Sequence, residues 1–342
     1  MTSMRHISGS SIGIFLALVA LMLLGSLRYD GFLTEFNILS VLRYNSMFAL
    51  IGLGMCFVIM TGGIDLSVGS VAALASVVSA MLSPWGLMAG LLGGVAAGLA
   101  AGVLSGFIIV RLKIVPFIAT LAVMLAASGA ALLLAHNQSV AVSYDTAFTE
   151  LGQGNLLESL EPDWVANGTN WFTSALDIVF AFPTPAWIAL AANLVGIVVL
   201  NFRGFGRHVL AVGGGEEAAR LMGLPAGRVI FIVYVISGGL AGLAGVILAA
   251  QFGAGQPTEG VGWELFAIAS VVVGGTLLTG GRGTVVGTLA GVLVLGLIFT
   301  ILNFENGMGW ISLSAYWQSV VRGAILFVVV VLQSRLDAPE TT

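Results

Sequence analysis

Residues 229–250 read VIFIVYVISGGLAGLAGVILAA, a run without one charged side chain. A helix needs about 20 predominantly apolar residues to cross the hydrocarbon core of a bilayer, and this run has that length. A membrane barrel would instead show segments of about ten residues alternating in polarity. Val285–Leu302 is a second run of the same kind. The whole chain follows suit: 58% of its 342 residues are hydrophobic and only 8% are charged, against about 25% charged in a soluble domain. That composition excludes a soluble enzyme, which would lack the charge to cover its surface, and excludes a disordered chain. The expected fold is therefore all-α: a polytopic helical membrane protein with about ten transmembrane helices. The single cysteine, Cys56, rules out a disulfide within the chain and reads as apolar packing.

Apolar runs bounded by charges or turn residues give ten spans, at 11–27, 37–61, 65–82, 86–110, 114–135, 185–202, 229–251, 264–280, 284–304 and 316–333. No small-residue cleavage site follows the first, so it reads as a retained span rather than a signal peptide. Basic residues mark cytoplasmic ends. They follow the fourth span (Arg111, Lys113), the sixth (Arg203, Arg207, Arg220, Arg228), the eighth (Arg282) and the tenth (Arg335). The second span lacks such a mark, and Arg28 and Arg43 fall on the side that should be poor in charge. Between Lys113 and Arg203 the only basic side chain is His136, while Asp145, Glu150, Glu158, Glu161, Asp163 and Asp177 gather there. The pattern predicts both termini in the cytoplasm. It also predicts a periplasmic insertion over 136–183, which either lies on the outer surface with Trp164 and Trp171 at headgroup level or docks an external partner.

Within the spans, Thr61-Gly62-Gly63-Ile64-Asp65-Leu66-Ser67-Val68-Gly69 is the most unusual stretch. Paired glycines let the backbone leave a helix, and a short polar side chain caps the next one. Asp65 with Ser67 thus reads as the start of a restarted helix, or alternatively as a carboxylate facing a transport pathway. At an offset of 218 residues, Thr279-Gly280-Gly281 followed by Val286-Gly287 and Ala290 repeats the spacing of Thr61-Gly62-Gly63, Val68-Gly69 and Ala72. Glycine-broken helices in internal repeats flank pathways in transporters. The rows Gly90-Gly94-Gly98-Gly102-Gly106 and Gly283-Gly287-Gly291 predict closely packed helices. In the cytoplasmic loop 203–228, Gly213 and Gly214 precede a helix-prone run holding Glu216, Glu217, Ala218, Ala219 and Met222, which Gly223 and Pro225 stop. A soluble partner could contact that run; an ordinary connecting loop is the plainer alternative. Trp263, Glu264 and Trp310 are candidates for an outer mouth, or for belt positions in the interface.

The one lysine, Lys113, follows Leu112, so the chain has no phosphate-binding GxxxxGK[ST] loop. The three histidines are dispersed, no nucleophile–base pair is visible, and nothing suits a metal or nucleic acid. These absences leave a non-catalytic transporter with no cofactor of its own. An ion-coupled secondary transporter, using Asp65, Glu264 and Arg282, and a non-transporting scaffold both remain open at this level.

The run Gly52–Ser70, the stretch Ala269–Gly281 continued to Gly291, and the loop Ala211–Leu224 together resemble the hallmarks of sugar ABC importer permeases of the ribose type, over about residues 35–335. In the loop, Gly215 and Leu224 depart from the family's usual Asn and Ile. The resemblance implies a type II ABC-importer-like fold and ATP-driven uptake of a monosaccharide such as ribose, xylose or galactofuranose. It implies separate ABC ATP-binding subunits that bind the ATP, a periplasmic sugar-binding protein, and a second permease subunit, identical or related. Gly260–Glu264 and Asn303-Phe304-Glu305 are similar to the galactofuranose branch, where two different permeases pair.

Overall fold

The computed structural model describes residues 9–167 and 170–308, with scattered positions between 317 and 331. The first half comprises α1 (Gly9–Arg28), α2 (Glu35–Met60), α3 (Val68–Leu82), α4 (Leu87–Arg111) and α5 (Pro116–Leu134). The acidic insertion holds three short helices, α6 (Glu150–Gln153), α7 (Asp163–Ala166) and α8 (Trp171–Phe180). After it come α9 (Thr184–Phe202), α10 (Gly204–Gly214), α11 (Glu216–Leu221), α12 (Ala226–Phe252), α13 (Trp263–Val273) and α14 (Val285–Met308). Two-residue strands β1 (Val140–Ala141) and β2 (Ala254–Gly255) pair antiparallel. Among the described residues, seven helices are long and apolar enough to cross a membrane.

A helix underlies nine of the ten expected spans; the tenth, 316–333, lies almost wholly outside the described residues. The eighth needs correction. Its helix stops at Val273 rather than running to 280. Gly274 ends it and Gly275 takes a left-handed φ of 84°, which a β-branched residue would resist. Residues 274–284 are an excursion between two helices, and α13 is too short to cross a bilayer alone.

α2 is the innermost helix, buried at every position from Asn45 to Met60. A helix buried all round needs no amphipathic stripe, and its neighbours α9, α12, α13 and α14 supply the surround. The glycine row of α4 lies along α12 as its spacing predicts. A Cβ added to Gly98 would sit 2.3 Å from the Gly238 carbonyl oxygen, and one on Gly102 2.5 Å from that of Tyr234. On α14, Gly287 and Gly291 meet the carbonyls of Gly274 and Ser270 at 2.1 Å each in the same sense. Lipid tails are as apolar as leucine, so such contact, rather than water exclusion, holds these helices together.

The basic residues that broke the charge rule are held by partners. Arg28 Nη2 lies 3.4 Å from Glu305 on α14, and Arg43 Nη2 donates to Asn155 Oδ1 at 3.1 Å. The insertion is anchored to the helical body, not merely laid over it. Phe148 is fully buried near Gly90, β1 pairs with β2 after α12, and Gly152 abuts the Ala250–Gln251 backbone. Trp164 remains 59% exposed.

Replacing Gly98 with valine would force α4 and α12 apart. It should cost about 1–3 kcal/mol, the usual price of overpacking, seen as a lower midpoint in thermal unfolding of the detergent-solubilised protein. Gly129→Ala, where a Cβ meets nothing within 4 Å, should leave that midpoint unchanged.

Candidate functional site

α2 ends at Met60 because Gly62 adopts a left-handed φ of 80° and turns the chain, its amide donating to the Ile59 carbonyl at 2.8 Å. The chain then runs without helix to Val68. Asp65 fixes this passage. Its Oδ1 accepts from the Ser67 amide at 2.9 Å and from Ser67 Oγ at 2.6 Å, an Asx-type turn. Its Oδ2 accepts from Ser237 Oγ of α12 at 2.8 Å. Ser67, not Asp65, is the residue preceding α3, and neither side chain caps it. The expected helix cap is thus corrected to a turn clamp that also ties the break to α12. With its carboxylate 1% exposed and three donors on it, Asp65 is a satisfied buried anchor.

The second break repeats the first. Gly280 takes φ 86° and its amide donates to Leu277 at 3.0 Å, the counterpart at offset 218 of Gly62 and Ile59. Gly281 is also left-handed, at φ 76°. Helix resumes at Val285, as it does at Val68.

The two breaks touch each other and the 203–228 loop. The Gly281 amide donates to the Met60 carbonyl at 3.0 Å. Gly213, near the end of α10, lies against both: a Cβ there would fall 1.8 Å from Met60 O and 2.5 Å from Gly281 N. One on Gly280 would fall 2.9 Å from both Gly213 O and Gly62 N, and one on Gly281 3.0 Å from Gly214 Cα. Three segments distant in sequence therefore meet backbone to backbone, a contact that any side chain would wedge open.

From this junction the chain passes directly into α11. Glu216, Glu217 and Ala218 are exposed, as are Leu221 (85%) and Met222 (70%). Glu216 pairs with Arg220 one turn on. Ala219 is fully buried and takes the Leu224 amide on its carbonyl, so it belongs to the internal face of the loop and not to a partner-facing surface. A cavity of about 770 Å³ separates α11 from the first break, lined by Gly62, Gly63, Lys113, Glu217, Arg220 and Tyr234 among others.

The remaining candidates scatter. Gly69 packs on Gly260, and Gly287 on Gly274. Trp263 is 4% exposed and packs on Phe48 with centroids 4.9 Å apart and rings tilted by 56°; it is buried in the core and not at a lipid-facing belt. Glu264 Oε1 accepts the Gly262 amide at 3.2 Å. Trp310 lies outside the described residues. Sequence reasoning missed Ser237, Tyr234 and Thr120. Tyr234 Oη reaches Ile64 O at 3.4 Å, and Thr120 Oγ1 accepts the Leu66 amide at 3.1 Å. The available signal was a hydroxyl inside an apolar run, which must find a partner in a medium without water. Among the described residues no group of three metal ligands occurs. The site holds nothing that would make or break a bond; it can pass displacement from α11 to two helix breaks.

Residues 37–330 match the family model described as branched-chain amino acid transport system / permease component. The chain is similar to the ribose import permease protein RbsC of Bacillus subtilis, 38% identical over 97% of this chain and 96% of the relative. It is similar to the L-arabinose transport system permease protein AraH of Escherichia coli, 36% identical over 93% and 89% respectively. The inner membrane ABC transporter permease protein YjfF of Escherichia coli is 37% identical over 90% and 87%. No solved structure matches the chain significantly.

Ser237→Ala would leave a buried carboxylate oxygen without its donor, at a cost of about 1–3 kcal/mol. The variant should unfold at lower temperature than the parent, and Ser237→Thr, which keeps the hydroxyl, should recover most of the difference.

Proposed function

The chain belongs to the branched-chain amino acid transport system / permease component family, and from that membership we propose that it is the membrane subunit of an ATP-driven importer of a monosaccharide. The relatives named for ribose and L-arabinose import make an aldopentose the first candidate. The chain is a non-catalytic permease component in a multi-pass inner membrane setting, and hydrolysis of ATP falls to separate ATP-binding subunits. A periplasmic binding protein delivers the sugar. Both termini lie in the cytoplasm, the insertion 136–183 faces the binding protein, and a second permease, identical or related, completes the pathway. No cofactor is held by this chain itself.

The observation that carries the mechanism is the contact of Gly213 with Met60 and Gly281. The ATP-binding subunits grip the exposed side of α11, through Glu217, Ala218, Leu221, Met222 and Gly223. Closure of those subunits moves α11, and Gly213 and Gly214 press that movement onto the two breaks. Gly62, Gly63, Gly280 and Gly281 then absorb it as changes in backbone torsion, so that α2, α3 and α14 tilt about their ends. Hinge motion through a few residues at element termini is a common route for such transitions. An ion-coupled mechanism would need a carboxylate free to exchange its cation. Asp65 already accepts three hydrogen bonds from hydroxyl and amide donors, which argues against it in that role.

Two substitutions separate grip from transmission in proteoliposomes holding the permease, ATP-binding subunits and binding protein. Ala218→Trp should lower co-purification of the ATP-binding subunits at least fivefold. Gly213→Val should keep that association while ATP-driven ribose uptake falls at least tenfold. Uptake driven by an ion gradient without ATP would refute the importer reading, and normal association of the Ala218→Trp protein would remove α11 from the ATPase contact.

A further inference from the structure

About 280 Å³ of open space lies between the first half of α2, α13 and the second half of α14. That is close to the lower bound of small-molecule pockets, roughly 300 Å³. Its lining has two kinds of residue. Asn37, Ser40, Tyr44, Asn45, Thr300 and Asn303 bring amides and hydroxyls, and no charged side chain takes part among the described residues. Phe48, Phe266 and Phe299 bring ring surface, with centroids of successive pairs 4.2 and 5.7 Å apart. Tyr44 extends the series onto Phe48 at 5.5 Å.

Asn45 stands out. It is 4% exposed, its Nδ2 donates to the Val41 carbonyl at 2.8 Å, and its Oδ1 has no hydrogen-bond partner. An unpaired buried amide oxygen costs about 1–3 kcal/mol, and within a bilayer no bulk water relieves it. The amide fits because the facing residue lacks a side chain: a Cβ on Gly296 would lie 2.1 Å from Asn45 Oδ1.

We infer that this cavity is a binding station for a neutral sugar on its way through the membrane, with Asn45 contributing an acceptor for a sugar hydroxyl. Six neutral hydrogen-bonding side chains beside an aromatic wall suit a ring that is hydroxylated at its edge and apolar on its face. An acyl chain would offer no donor to Asn45 Oδ1, and an ion would find no countercharge. The inference rests on the importer reading and adds a place to it. α2, α13 and α14 carry this cavity along their length and the glycine junction at their ends. On α2, Asn45 and Met60 are separated by about 22 Å at 1.5 Å per residue, so one set of helices links the station to the driven hinge.

The test uses the complete transporter in proteoliposomes with ribose, and L-arabinose in parallel. Ser40→Trp, which fills the cavity from an exposed position, should lower uptake at least tenfold while the ATP-binding subunits still co-purify with the permease. Asn45→Ala should raise the sugar concentration for half-maximal uptake at least fivefold, and Asn45→Gln should restore part of it. Ser40→Cys gives an independent reading, because the native Cys56 is fully buried and the new thiol is the accessible one. Turnover with ribose should slow its maleimide labelling at least threefold. Unchanged uptake in Ser40→Trp and Asn45→Ala would overturn the site, as would labelling that phospholipid slows and the pentose does not. A parent transporter that hydrolyses ATP but imports neither pentose would instead count against the importer reading for these substrates, so the two failures are distinct.

Discussion

The carbonyl of Met60 accepts the amide of Gly281 and lies against the backbone of Gly213. Much else in the molecule depends on that approach. It leaves no room for a side chain at Gly213, Gly280 or Gly281, and the left-handed torsion of Gly62 favours glycine there too, so these positions are constrained before any functional demand is considered. It sits where helices are interrupted, between α2 and α3, which begins only at Val68, and between α13, which stops at Val273, and α14. It also brings α11, a short helix that exposes Leu221, within a few residues of the innermost helix of the bundle. Packing in lipid draws its strength from close contact, and a contact made only of backbone is both close and free to pivot.

The helical architecture was legible because hydrophobic length is a strong signal. Eight spans carry helices close to their expected bounds. The miss at 264–280 has a physical cause. The run stays apolar through Val273, and the glycines that follow also occur in unbroken packing rows such as 90–106. Hydropathy does not distinguish a glycine that lets another helix approach from one that turns the chain. Only the left-handed torsions at Gly275, Gly280 and Gly281 do so.

The site was legible in parts. The glycine pairs and α11 were singled out separately, but their meeting was not, since no spacing rule joins residues 60, 213 and 281. Asp65 was seen, while its clamp on Ser237 was hidden because serine in an apolar run attracts little notice. Trp263 shows the opposite error: a large aromatic near a span end suggests a surface role, yet packing on Phe48 makes it core. The cavity beside Asn45 was invisible for the same reason as the junction. Its residues come from three helices, and each helix reads as ordinary apolar sequence with a few tolerated amides and hydroxyls.

The contact between Arg28 and Glu305 joins residues 277 positions apart. Ribosomes add about 5–20 residues each second, so α1 waits on the order of tens of seconds before its partner on α14 exists. Through that interval Arg28 lacks this carboxylate, though the Tyr29 ring, 5.7 Å from its guanidinium, is made with it. Final docking of α1 is consequently a late event of biogenesis, set by the arrival of α14, which brings Ala290 and Val294 against Ile14 as well as Glu305 to Arg28. A chain released short of Glu305 would keep that apolar contact and lose the charged one.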